Sequence, residues 1–158
     1  MRMIIFVLGL IVSATAATDA ALPGQTQRLK VDGEQWLLRI PSGMQLELLT
    51  DRLDAPRLMT FLPNGDLLTG SRSGKVYRLA PPYTNPEVLV SLDNDPHSLA
   101  WRDNELLIAQ TDGLYRAPSS PGQNTSASGS VELLRALPGG GGPHSRSVAI
   151  GPDGRVYI

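Results

Sequence analysis

A unit of short strands and tight turns recurs along this chain, and each copy opens on a cationic or proton-handling side chain. Pro56-Arg57 stands ahead of Leu58-Met59-Thr60-Phe61, Pro96-His97-Ser98 ahead of Leu99-Ala100-Trp101, and Pro143-His144-Ser145 shortly before Val148-Ala149-Ile150. The chain has two histidines, and both occupy this place. The copies are roughly 40 residues apart, the length of one unit in a repeating β array.

Turn chemistry supports the same repeat. Leu62-Pro63-Asn64-Gly65-Asp66-Leu67-Leu68 matches Ile150-Gly151-Pro152-Asp153-Gly154-Arg155-Val156, and Arg102-Asp103-Asn104-Glu105 lies between them. Asn-Gly and Asp-Gly accept the positive φ that tight hairpins need. A second turn follows one strand later, at Ser73-Gly74 and at Asp112-Gly113. Four strands per unit are therefore expected: 58–62, 66–71, 75–79 and 87–92 in the first, then 99–101, 105–110, 114–117 and 131–136. The fold class this predicts is all-β, a β-propeller of four-stranded antiparallel blades whose inner corners direct polar groups towards a central channel. The blades are expected at 53–92, 96–137 and 143–158, the last incomplete, which is about two and a half blades of a ring of six.

Composition agrees with a turn-rich β chain, since 16 Gly and 13 Pro accompany only 5% aromatic and 18% charged residues. A net charge of −1 supplies no overall basic field for nucleic acid or an anionic membrane. The first residues read as a leader over 1–16: Arg2, the apolar run Ile4 to Val12, then Ala14-Thr15-Ala16 ahead of a cleavage before Ala17. The run is far short of the ~20 apolar residues needed to span a bilayer. An exported protein is expected, periplasmic or extracellular, with no membrane contact after cleavage. It contains no cysteine, so its stability must come from packing rather than from disulfides.

Residues 17–43 read as an N-terminal extension that includes a possible closing strand, with strands expected at 36–40 and 44–49 about Pro41-Ser42-Gly43. Pro118 to Ser130 reads as a polar surface loop. An uncovered blade face would leave on the order of 300 Å² of apolar surface open, forfeiting about 8 kcal/mol. Further blades or self-association are therefore expected, and a monodisperse, cooperatively unfolding monomer would contradict that.

Three stretches resemble the glucose/sorbosone dehydrogenase family of soluble quinoproteins: Leu53-Asp54-Ala55-Pro56 through Arg78-Leu79, Pro96-His97-Ser98-Leu99-Ala100-Trp101, and Gly139 through Ile158. The most specific part is Gly141-Gly142-Pro143-His144-Ser145-Arg146-Ser147. The likeness implies a six-bladed propeller that oxidises an aldose or related sugar with pyrroloquinoline quinone (PQQ) and a calcium ion, and that passes electrons to an acceptor. The segment alone is expected to be inactive.

By that resemblance His144 is the catalytic base on the sugar hydroxyl, and an imidazole titrating near neutrality suits the task. His97 and Arg146 are the expected cofactor-binding residues. The family usually places its histidine three residues before the arginine, whereas His144 stands two before Arg146 and Pro143 holds the usual place. Each residue also has a plainer reading. His144 can be a channel-lining loop residue, His97 a strand-start residue bonded to a neighbouring loop, and Arg146 a member of a surface ion pair. No metal ligands are assigned, because Asp93-Asn94-Asp95 lacks the glycine and distal glutamate of a calcium loop. The alternatives in function are a non-catalytic propeller that binds ligands or proteins, and a metal-dependent lactonase-like propeller.

Overall fold

Turn residues with positive φ mark where the chain reverses: Asp32 and Gly33 at 50° and 84°, Asp103 and Asn104 at 50° and 63°. Asp, Asn and Gly tolerate this left-handed geometry, and its twist matches that of paired strands. The computed structural model describes residues 6–10, 23–118, 131–138 and 145–158, and among them there is no helix. The protein is all-β, built of several small antiparallel sheets. It divides into two compact units, Ile4–Asp51 and one that contains Arg52–Ile158.

The smaller unit holds β1 (Phe6–Leu10), β2 (Gly24–Val31), β3 (Glu34–Pro41) and β4 (Met44–Leu48). β1 pairs with β4, and β2 with β3 across the Asp32-Gly33 turn. Gln27 ties β2 to β4, donating from Nε2 to the Leu46 carbonyl at 2.6 Å and accepting from the Leu46 amide at 2.9 Å. Residues 6–10, which fall in the apolar part of the expected leader, form a strand here; 1–5 and 11–22 lie outside the described residues.

The larger unit holds two four-stranded meanders and a hairpin. The first sheet is β5 (Pro56–Phe61), β6 (Leu67–Ser71), β7 (Lys75–Leu79) and β8 (Pro86–Ser91). The second is β9 (Ser98–Arg102), β10 (Glu105–Ala109), β11 (Gly113–Pro118) and β12 (Glu132–Ala136), and β13 (Ala149–Ile150) pairs with β14 (Val156–Tyr157). Neighbours in sequence are neighbours in each sheet, and the eight strands expected between 58 and 136 all form within two residues of their expected ends.

The repeat extends to single hydrogen bonds. In the first sheet Leu62 N donates to Asp66 O at 2.8 Å and Gly65 N to Leu62 O at 2.9 Å; in the hairpin Gly151 N donates to Arg155 O at 2.8 Å and Gly154 N to Gly151 O at 2.9 Å. The Asx side chain acts alike in both turns, Asn64 Oδ1 accepting from Asp66 N and Asp153 Oδ1 from Arg155 N. The last strand pairs also match, with a bulge at Leu89 of β8 opposite Val76/Tyr77 and one at Leu134 of β12 opposite Leu114/Tyr115.

Strand alternation gives the second sheet two buried faces. Leu99, Leu106 and Ile108 join Leu62, Leu68, Val76 and Val90 of the first sheet in one core. Ala100, Leu107, Ala109 and Leu114 pack in another with Val148, bordered by Ile150 and Val156. A sheet covered on both faces needs apolar residues at successive positions, which is why β10 reads Leu-Leu-Ile-Ala without polar interruption.

Candidate functional site at the heads of the sheets

The segments that enter β5, β9 and β13 meet around His97. Its backbone amide donates to the Ala109 carbonyl at 2.9 Å, and its carbonyl accepts from the Leu58 amide at 3.1 Å. Its side chain reaches the third segment, with Nδ1 3.0 Å from the Arg146 carbonyl. One residue on, the Ser98 hydroxyl, in a side chain 4% exposed, accepts from the Val148 amide at 3.1 Å. His97 and Ser98 thus fasten the start of the second sheet to the segments on either side.

Arg57, the residue that stands in the histidine's place in the first unit, joins the same corner. Its Nη2 donates to Asp95 Oδ2 at 3.1 Å, with both side chains mostly buried, and Arg72 Nε lies 3.9 Å from the same oxygen. Nε of Arg57 and Oδ1 of Asp95 have no hydrogen-bond partner among the described residues, and the same holds for the buried Nε1 of Trp101, Oε1 of Gln110, Oδ1 of Asp112 and Nε of Arg146. Gln110 is 2% exposed and directly follows Ala109, whose carbonyl holds His97.

The structure brings His97 and Arg146 together, although the bond runs to the Arg146 backbone. The Arg146 guanidinium turns instead to the Pro138 carbonyl through Nη2. His144 and the glycines at 139–142 lie outside the described residues. The plainer reading of His97, a strand-start residue bonded to a neighbouring loop, describes its Nδ1 contact correctly. Asp95 and Gln110 were missed by the sequence reading. Asp95 sat in an Asx triplet typical of turns, and Gln110 ends an apolar run with no motif to flag it.

The Asx triplet does not gather into a cation site. Asp95 pairs with Arg57, while Asn94 donates to Asp112 Oδ2 at 2.8 Å. Among the described residues no group of three or more His, Cys, Asp or Glu is placed to hold a metal ion. Asp112 also accepts from the Tyr115 hydroxyl at 3.0 Å. Burial raises the Tyr115 phenol's pKa, and the Asp112 hydrogen bond and charge, with the Asp93 charge behind them, push the same way. Compared with known protein families, curated proteins and solved structures, the chain matches none of them.

Proposed function

We propose that this protein is an exported quinoprotein sugar dehydrogenase whose successive sheets are blades of a β-propeller, with the His97 corner facing the axis. The observation that carries the reading is the 3.0 Å contact between His97 Nδ1 and the Arg146 carbonyl. It joins the two cofactor-binding candidates, 49 residues apart in sequence, at the heads of neighbouring sheets. Further blades or a second copy would cover the outer sheet faces.

The corner suits part of the implied chemistry. The unpartnered Nε of Arg146 is a guanidinium donor of the kind that matches a carboxylate, and PQQ is a tricarboxylate. Arg146 would therefore help to hold the quinone, which when bound supplies a two-electron acceptor. His97 would fix the backbone of residue 146, and His144 would accept the sugar's hydroxyl proton. The described residues do not fit calcium, and no step is assigned to that ion. A lactonase would need converging carboxylates, whereas this corner offers two arginines, a histidine and one aspartate already paired.

The test is to add PQQ and calcium to the natural full-length polypeptide, follow uptake by absorbance, and follow dye reduction with aldoses. Uptake is expected to weaken about tenfold in Arg146→Ala, the loss of one charge-assisted contact. His144→Ala is expected to keep the quinone and lose turnover. A polypeptide that takes up no quinone, or turns over unchanged without His144, would sink the reading.

A further inference from the structure

We infer that the outer face of the β2-β3 hairpin docks on an anionic lipid surface, with Arg28, Lys30 and Arg39 on the headgroups and Leu37 entering between them. Such docking is independent of the dehydrogenase reading and departs from the expectation of no membrane contact. Alternation along the paired strands puts Thr26, Arg28 and Lys30 on one face with Gln35, Leu37 and Arg39, and all six are exposed. Leu29, Val31 and Ile40 point the other way and are half-buried or buried. Arg28 stands directly opposite Leu37, Lys30 opposite Gln35 and Arg39 opposite Thr26, so the leucine is bracketed by three cations. Arg39 leans across Gly24 of the same face, where a Cβ would stand 2.7 Å from its Nε.

What this face lacks decides its partner. It carries no acidic residue, and among the described residues none of the three cations takes part in an ion pair. Uncompensated positive charge is thus gathered on one hairpin of a chain whose net charge is −1. In its midst Leu37 is 68% exposed. A soluble polyanion would neutralise the cations and leave the leucine in water. An extended peptide pairs its backbone with a strand edge, whereas these side chains stand on the face. A single leucine is also too little apolar surface to anchor a protein interface. A lipid surface answers both demands, because long cationic side chains reach its headgroups while an apolar neighbour enters the acyl boundary. Each cation beside an anionic leaflet strengthens binding about fivefold, and three together about a hundredfold.

Sedimentation of the natural full-length polypeptide with lipid vesicles tests this. Phosphatidylcholine vesicles with about 30% phosphatidylglycerol are expected to bind it about a hundredfold more tightly than phosphatidylcholine alone, and about 1 M salt to release it. An apolar leader, by contrast, would bind both vesicles alike. Arg28→Gln, Lys30→Gln and Arg39→Gln are each expected to weaken binding about fivefold, and Gln35→Lys, which adds a cation to the same face, to tighten it about fivefold. Leu37→Ser is expected to weaken binding to the anionic vesicles and to leave retention on poly-L-glutamate unchanged. Equal binding to the two vesicles, or charge variants that alter nothing, overturns the inference. Binding to poly-L-glutamate as tight as to the anionic vesicles, with Leu37→Ser neutral on both, would make this a face for acidic proteins and overturn it as well.

Discussion

Gly70 shows how one missing side chain lets the corner form. It lies within β6 with no positive φ, so conformation does not demand glycine there. Space does: a Cβ at this position would stand 1.8 Å from the Pro96 carbonyl oxygen and 2.8 Å from its carbon. Those are backbone atoms of the segment that carries His97, and they cannot swing away as a flexible side chain would. In an open strand interior, Gly→Ala gains roughly 0.5–1 kcal/mol. Gly70→Ala is expected to do the opposite, losing about 2 kcal/mol through overpacking. Urea unfolding measures the sign directly, and a stabilised variant would mean that Pro96 does not press on β6. Nothing in Thr69-Gly70-Ser71 announces this role, because the close approach comes from a residue in the next unit.

The elements were legible where a turn signal flanked an apolar run and illegible where polar residues served as structure. β5 to β12 follow from Asn-Gly, Asp-Asn and Gly turns in repeated order. β2 was not foreseen, because its outer positions Thr26, Arg28 and Lys30 are solvated and its inner Gln27 bonds to β4, leaving only Leu29 and Val31 as an apolar alternation; its Asp32-Gly33 turn was the available clue. The bulges in β8 and β12 were likewise invisible, since an unpaired residue shows only against a partner strand. Tyr115 lies opposite the β12 bulge and has a titratable consequence. Its neutral phenol is favoured in the folded chain by burial and by Asp112, so the folded pKa lies above the unfolded value of about 10. The resulting stability is whole below the unfolded pKa and is lost as pH rises through the folded one. Denaturation midpoints are expected to fall above about pH 10, and to fall less steeply in Tyr115→Phe. An equal slope in the two proteins would exclude Tyr115 as the source.

Across the larger unit, cohesion depends on how the two faces of the second sheet are filled, and the two faces are unequal. Leu106 and Leu107 are adjacent in β10 and almost fully buried, yet alternation sends them to opposite cores. Leu106 packs among fully buried Leu68, Val76 and Ile108, bordered by Trp101 and Tyr115. Leu107 meets a thinner set, Ala100, Ala109, Leu114 and Val148, beside a hairpin whose Tyr157 is 52% exposed. A cavity costs most where its walls cannot relax, and two four-stranded sheets yield less than a hairpin of two-residue strands. Leu106→Ala is therefore expected to destabilise the chain by about 4 kcal/mol, and Leu107→Ala by about 2. Hydrogen exchange should divide them further, the first substitution exposing amides in β6, β7 and β10 together, the second loosening β13 and β14 first. Equal costs and identical exchange patterns would mean that the hairpin is held as firmly as the first sheet. The order of stability would then lie elsewhere than in the depth of these two cores.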